Sequence, residues 1–176
     1  MRKTRLKGDA YKPNKNFRYM LSRVLDKNKP FILFIGLNPS EADGVLNDNT
    51  VSFLEKVVAK WKKYGGFYMG NLFARVHTDS TEIHTKKLGR PEINDKYLKK
   101  MRKNCEMVVF MWGNKGALYG RDKEVMKKFP NAYCLGVTTN LNPKHTRGIS
   151  KDVTPIRYTG PNGRILKSVG RLTSTP

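Results

Sequence analysis

Apolar residues along this chain gather into runs separated by stretches of helical length, and a polar loop follows each run. Phe31–Leu37 is continuously apolar and closes on Gly36-Leu37-Asn38-Pro39-Ser40, which predicts a buried strand entering a turn. Thr50–Tyr64 spaces Val51, Leu54, Val57, Val58, Trp61 and Tyr64 on one stripe with lysines opposite, predicting an amphipathic helix halted by Gly65-Gly66. Further strands are expected at 67–73, 107–112 and 132–137, with helices at 93–104 and 115–129. Phe17–Leu25 fits either a lead-in strand or a short helix. Past Gly148, Ile156–Tyr158 and Arg164–Leu166 flank Gly160-Pro161-Asn162-Gly163, a hairpin or a loose basic tail.

Strands alternating with helices predict an α/β fold of three layers, a central four-stranded parallel sheet with helices on both faces. A chain of 176 residues holds about one such core. Residues 1–16, rich in Lys, Asn and Pro, are assigned to a basic flexible arm, 17–148 to the α/β domain and 149–176 to a basic C-terminal extension.

Charge changes the picture more than any other compositional feature. With 35 basic against 14 acidic residues the net charge is +21, far above what solubility requires. The excess is densest at the ends: residues 1–30 hold ten basic and two acidic side chains, and residues 144–176 seven and one. Such ends can neutralise phosphates and release counterions, so the expected partner is a nucleic acid, and the chain is expected to be a monomer. Lysines that are merely solvated are the competing explanation. No apolar run approaches the roughly 20 residues needed to span a bilayer, and Met1–Lys7 is not followed by an apolar signal core. Cys105 and Cys134 stand apart from each other and from any His cluster, so no disulfide framework, metal site or cofactor is expected, and a cytoplasmic location is.

In an open parallel sheet, ligands sit outside the carboxyl ends of the strands. That rule selects Asn38-Pro39-Ser40, Asn71, Trp112-Gly113-Asn114 and Asn142-Pro143-Lys144-His145. Amides present paired donors and acceptors suited to a base edge. Each choice also has an ordinary structural explanation: a turn for Asn38-Pro39, a strand-end cap for Asn71, core packing for Trp112, a solvated basic loop for His145. The carboxylates nearest the first loop are Glu41, Asp43 and Asp48; the polar loop after the second strand carries His77, Thr78, Asp79 and His84.

The order of Gly36-Leu37-Asn38-Pro39-Ser40, a strand ending in Asn71, Val109-Phe110-Met111-Trp112-Gly113 with Ala117 beyond, and then a Pro/His loop resembles the uracil-DNA glycosylase superfamily. Similar loops mark an uncharacterised bacterial and phage family with Asn-Pro-Ser, Asn-Leu-Phe-Ala and Trp-Gly motifs, for which a phage or anti-phage defence role is a compatible setting. The resemblance spans about residues 31–148. It implies a uracil-DNA glycosylase-like fold and a DNA glycosylase acting by base flipping on uracil or a modified pyrimidine. By the same resemblance Asn38 positions the attacking water, Asn71 reads the base edge with Pro39, Ser40 and Trp112 around it, and His145 approaches the leaving base. The chain departs from that pattern twice. The classical branch has Asp where this chain has Asn38, so Asp48 or Asp43 would have to supply the base. Its His-Pro-Ser loop is here Asn142-Pro143-Lys144-His145. Lys144, Arg147 and Arg75 are the candidate phosphate ligands. A nucleic-acid-binding module without the chemistry, and an enzyme of free nucleotides, are the rival functions; two basic ends argue against the latter.

Overall fold

A computed structural model of the chain describes residues 8–40, 48–76 and 91–161. The elements are β1 (Ala10–Tyr11), β2 (Met20–Val24), β3 (Phe31–Gly36), α1 (Asn49–Lys60), β4 (Gly66–Asn71), α2 (Pro91–Arg102), β5 (Cys105–Phe110), α3 (Arg121–Lys128), β6 (Tyr133–Cys134) and β7 (Ile156–Arg157). They form an α/β fold around one seven-stranded mixed sheet, ordered β1-β2-β4-β3-β5-β6-β7.

The four strands expected from the apolar runs are the parallel centre of that sheet: β3 pairs in parallel with both β4 and β5, and β5 with β6. The expectation of a four-stranded sheet is corrected at both edges, where β2, β1 and β7 add antiparallel strands. Short, irregular segments such as Ala10–Tyr11 carry no periodicity, so their pairing depends on the edge they meet. The 17–25 segment is a strand, β2. Ile156–Arg157 pairs with β6, and Arg164–Leu166, the other arm of the expected hairpin, lies outside the described residues.

Each face of the sheet carries its own core. Ile32, Phe34, Phe67, Met69 and Val109 pack against the stripe of α1, while Leu33, Ile35, Val108 and Phe110 pack against Leu98 and Met101 of α2 and Val125 of α3. Burial on both faces is why the central strands are continuously apolar. The chain leaves β3 through α1 to one side and returns through α2 to β5 on the other. The carboxyl ends of β3 and β5 therefore form the topological switch point, where a crevice opens.

Two expected helices end differently. Helix α1 stops at Lys60, four residues short of the reading, because Lys62 turns the chain with φ 50° and Trp61 donates its indole N–H to the Val153 carbonyl at 2.8 Å. The single helix expected at 115–129 is two pieces, a 3-10 segment at Asn114–Gly120 and then α3. The break falls at Tyr119 (φ 57°) and Gly120 (φ 67°). The 3-10 piece is pinned by Gly116, whose backbone lies so close to Trp112 that a Cβ would come within 1.9 Å of the indole Cδ1. The fourth strand, expected at 132–137, keeps only two paired residues. After it Gly136 (φ 139°) turns the chain into a loop closed by a Val137–Pro143 bridge.

Described residues of both end segments join the same body. Residues of the N-terminal arm pair with β2, and the Arg18 amide donates to the Ala74 carbonyl at 2.9 Å. Tyr158, in the C-terminal extension, is buried and donates its hydroxyl to Leu141 at 3.1 Å. No helix among the described residues is long and apolar enough to cross a membrane.

Candidate active site at the strand ends

A cavity of about 420 Å³ opens at the carboxyl ends of β3, β4 and β5, within the range of pockets that hold small organic ligands. Asn38, Ser40, Asp48, Asn71, Trp112, His145 and Arg147 all contribute to its wall, so residues from four separate strand-end loops meet there. Pro39, Lys144 and Arg75 are not among its described lining residues. Pro39 is buried, Lys144 donates its backbone N–H to Gly136 at 2.8 Å, and Arg75 bridges to Phe17. Glu41, Asp43, His77, Thr78, Asp79 and His84 lie outside the described residues.

The first loop is held from two sides. Asp48 caps α1, one carboxylate oxygen accepting from the Val51 amide at 2.7 Å and the other from the Ser40 hydroxyl. From below, Arg18, only 1% exposed, donates a guanidinium N–H to the Ser40 carbonyl at 3.2 Å. The Asn38 amide donates to the Pro39 carbonyl at 3.2 Å. Asp48 is thus a structural cap with both oxygens engaged, and its part in general-base chemistry must compete with those bonds.

Asn71 is buried at the tip of β4. Its amide is oriented so that Nδ2 donates to the carbonyls of Asn38 and Gly70, 3.3 Å each. That bond ties the second loop to the first. The absence of a side chain at Gly36 gives the amide its place, since a Cβ there would stand 2.9 Å from it. The Asn94 amide holds the backbone of the same loop, donating to the carbonyls of Asn71 and Leu72 at 2.8 and 3.1 Å, and Arg121 Nε donates to Leu72 at 3.0 Å. Arg121 is itself buried and paired with Asp95 and Glu124.

Trp112 is buried against Phe110, ring centroids 4.3 Å apart, and contributes part of its surface to the wall. The third and fourth loops are joined through Asn114, whose amide oxygen accepts from the Thr138 hydroxyl at 2.6 Å and from Asn142 Nδ2 at 3.2 Å. The Gly113 amide donates to Pro143 at 2.8 Å.

His145 stands at the mouth with an open edge. Protein packed around the ring lowers its pKa below the usual value, the charge of Arg147 lowers it further, and Asp48 opposes both. The Arg147 amide donates to Nδ1 at 3.4 Å, which favours the neutral ring with its proton on Nε2. Neutral imidazole and amides supply hydrogen-bonding groups beside the charges of Asp48, Lys115 and Arg147. No group of three or more His, Cys, Asp or Glu that could hold a metal gathers among the described residues. The two thiols are buried away from it, Cys105 pushed up to about 12 and Cys134 to about 11 by desolvation.

Arg18, Asn94 and Arg121 were not singled out in the sequence. Asn94 alone left a signal: it occupies the buried stripe of α2, one turn before Leu98, where an apolar residue is expected. Arg18 and Arg121 look in sequence like the other basic residues of a basic chain.

A family described as a protein of unknown function (DUF1643) matches residues 18–146. The match runs from the buried Arg18 to just beyond His145, so it takes in all four strand-end loops. No curated protein and no solved structure matches the chain.

Proposed function

The chain belongs to the DUF1643 family across the span that builds the pocket, and we propose that this pocket receives a nucleobase flipped out of DNA and hydrolyses its N-glycosidic bond. The observation that carries the reading is the meeting of Asn38, Asn71, Trp112 and His145 around one cavity in a chain of net charge +21. The motif order that resembles the uracil-DNA glycosylase superfamily supports it, and makes uracil or a modified pyrimidine the substrate base.

In this reading Asn38 orients a water toward the sugar C1′. As the C1′–N bond breaks, its electron pair leaves with the base, the water oxygen bonds to C1′, and the water proton passes to solvent or to the departing base. Positive charge grows on the sugar, where the flanking phosphates favour it. Negative charge grows on the base, where a neutral His145 can donate from Nε2 at little reorganisation cost. Asn71 holds the Asn38 loop through Nδ2, bonded to two backbone carbonyls, and as a lining residue it is the group assigned to the base edge.

A binding module without catalysis is the second reading, and one observation favours it: both oxygens of Asp48 are already bonded. The experiment that separates the two is incubation with single strands and duplexes carrying uracil, hydroxymethylated or glucosylated pyrimidines, followed by alkaline cleavage of abasic sites. Base release by the parent, lost by at least about a hundred-fold in Asn38→Ala with DNA binding retained, establishes the glycosylase. Binding that falls steeply with salt and no release from any substrate establishes the module.

A further inference from the structure

Asn114 opens the 3-10 segment and lines the cavity. Its amide is locked in one orientation. Oδ1 accepts from the Thr138 hydroxyl at 2.6 Å and from Asn142 Nδ2 at 3.2 Å. The Thr138 oxygen in turn accepts the Asn142 backbone N–H at 3.2 Å, so its single proton is directed at Asn114. Reversing the amide would set Asn114 Nδ2 against the Asn142 donor. With the oxygen committed to the fourth loop, Nδ2 has no acceptor among the described residues.

Joining the third loop to the fourth requires only that oxygen. A carboxylate would accept both bonds as well, so the amide supplies something the joint does not use, a donor. Asp48, the one carboxylate in the described wall, is already bonded to Ser40 and Val51 and does not claim it. Asn71 is locked in the opposite sense: it spends Nδ2 on the carbonyls of Asn38 and Gly70, which leaves Oδ1 as its hydrogen-bonding group for the cavity. Together with the Nε2–H of a neutral His145, the wall offers one acceptor and two donors. A pyrimidine edge is the complement. Uracil presents one N–H and two carbonyls, and cytosine one amino group, a ring nitrogen and a carbonyl. Guanine presents two N–H donors and one acceptor, which is the mismatch.

We propose that Asn114 is a specificity-determining residue of this pocket, its Nδ2 donating to an acceptor on the edge of the flipped pyrimidine while Asn71 Oδ1 accepts the N–H beside it. Thr138 and Asn142 position the amide for that task. The inference rests on the reading of the cavity as the seat of a flipped base. It adds which residue supplies the donor and why a pyrimidine edge fits.

The test is fluorescence anisotropy of the full chain with labelled DNA strands of about 12 nucleotides, one central position carrying 2′-fluoro-2′-deoxyuridine, 2′-fluoro-2′-deoxycytidine or an abasic tetrahydrofuran. The 2′-fluorine disfavours positive charge on the sugar, so binding is read without base release. The parent should hold the uracil or the cytosine strand about ten-fold more tightly than the abasic one. Asn114→Asp keeps an acceptor for Thr138 and Asn142 and removes only the donor, so the melting temperature should be retained while that ratio falls to about one. Taking the ratio to the abasic strand cancels the effect of the added negative charge on binding as a whole. In NMR spectra of the parent, the side-chain amide signals of Asn114 should shift with the preferred strand and stay in place with the abasic one. A ratio in Asn114→Asp equal to the parent's, or amide signals that respond alike to both strands, overturns the proposal. A parent that binds all three strands equally refutes the base-edge reader and leaves nucleic-acid binding standing; a parent that binds none refutes both.

Discussion

Ser40 donates its hydroxyl to the carboxylate of Asp48, joining the loop after β3 to the first turn of α1. The same carboxylate caps the helix through the Val51 amide, so one side chain fixes both the helix start and the near wall of the pocket. Asp48→Ala should therefore cost about 1 kcal/mol of stability, the usual worth of an N-cap. Asp48→Ser, which restores a cap acceptor, should recover most of it. Urea denaturation followed by far-ultraviolet circular dichroism measures both. If base release falls in Asp48→Ser far more than stability does, the carboxylate has a chemical role beyond the cap.

Asn71→Asp sets a carboxylate oxygen where Nδ2 now faces the carbonyls of Asn38 and Gly70. Acceptor meets acceptor at a buried position. The substitution should destabilise the protein by about 1–3 kcal/mol, the cost of leaving buried groups unpaired, and should displace Asn38. Denaturation midpoints and the amide shifts of Asn38 in NMR spectra check the two effects together. A variant as stable as the parent, with Asn38 unmoved, would show that this bond does not organise the loops.

Arg121 and Asp95 form a mostly buried pair that also supports the Leu72 carbonyl. Arg121→Met should cost about 2–3 kcal/mol, because it leaves the mostly buried Asp95 carboxylate to Lys128. Burial works to raise the Asp95 pKa, but the hydrogen bonds and charges of Arg121 and Lys128 outweigh it and the net shift is downward. A carboxyl lowered in the folded state contributes stability that is present above its unfolded pKa, near 3.9, and is lost as pH falls through the folded value. The gap between parent and variant should thus be full at pH 6 and narrow below about pH 4. Denaturation curves across that range supply the measurement.

Desolvation first and the charge of Arg147 second lower the His145 pKa, against the pull of Asp48. A reaction that uses the neutral ring is retained above the His145 pKa and lost as pH falls through it, so its acid limb should lie below about pH 6.5. Arg147→Met removes one cause of the lowering and should move the limb to higher pH. Imidazole titration by NMR, assigned with His145→Gln, reads the pKa directly. A lower pKa in Arg147→Met would contradict the electrostatic account.

The amino-acid sequence by itself determined the four central strands, the presence of a helix after each of the first two, and the loops that come together. These follow from local facts: apolar runs buried on both faces, an amphipathic stripe such as Val51–Tyr64, and turn residues such as Asn38-Pro39 at strand ends. Tertiary structure decided the rest. Ala10–Tyr11 and Ile156–Arg157 become strands only because sheet edges offer them partners, and the helix expected at 115–129 breaks where Tyr119 and Gly120 take positive φ. The tasks of individual polar groups were decided there as well. Asp48 caps a helix, Asn71 braces a loop, and Arg18 and Arg121 are buried among many exposed cations, since a hydrogen bond depends on which carbonyl the fold brings within about 3 Å.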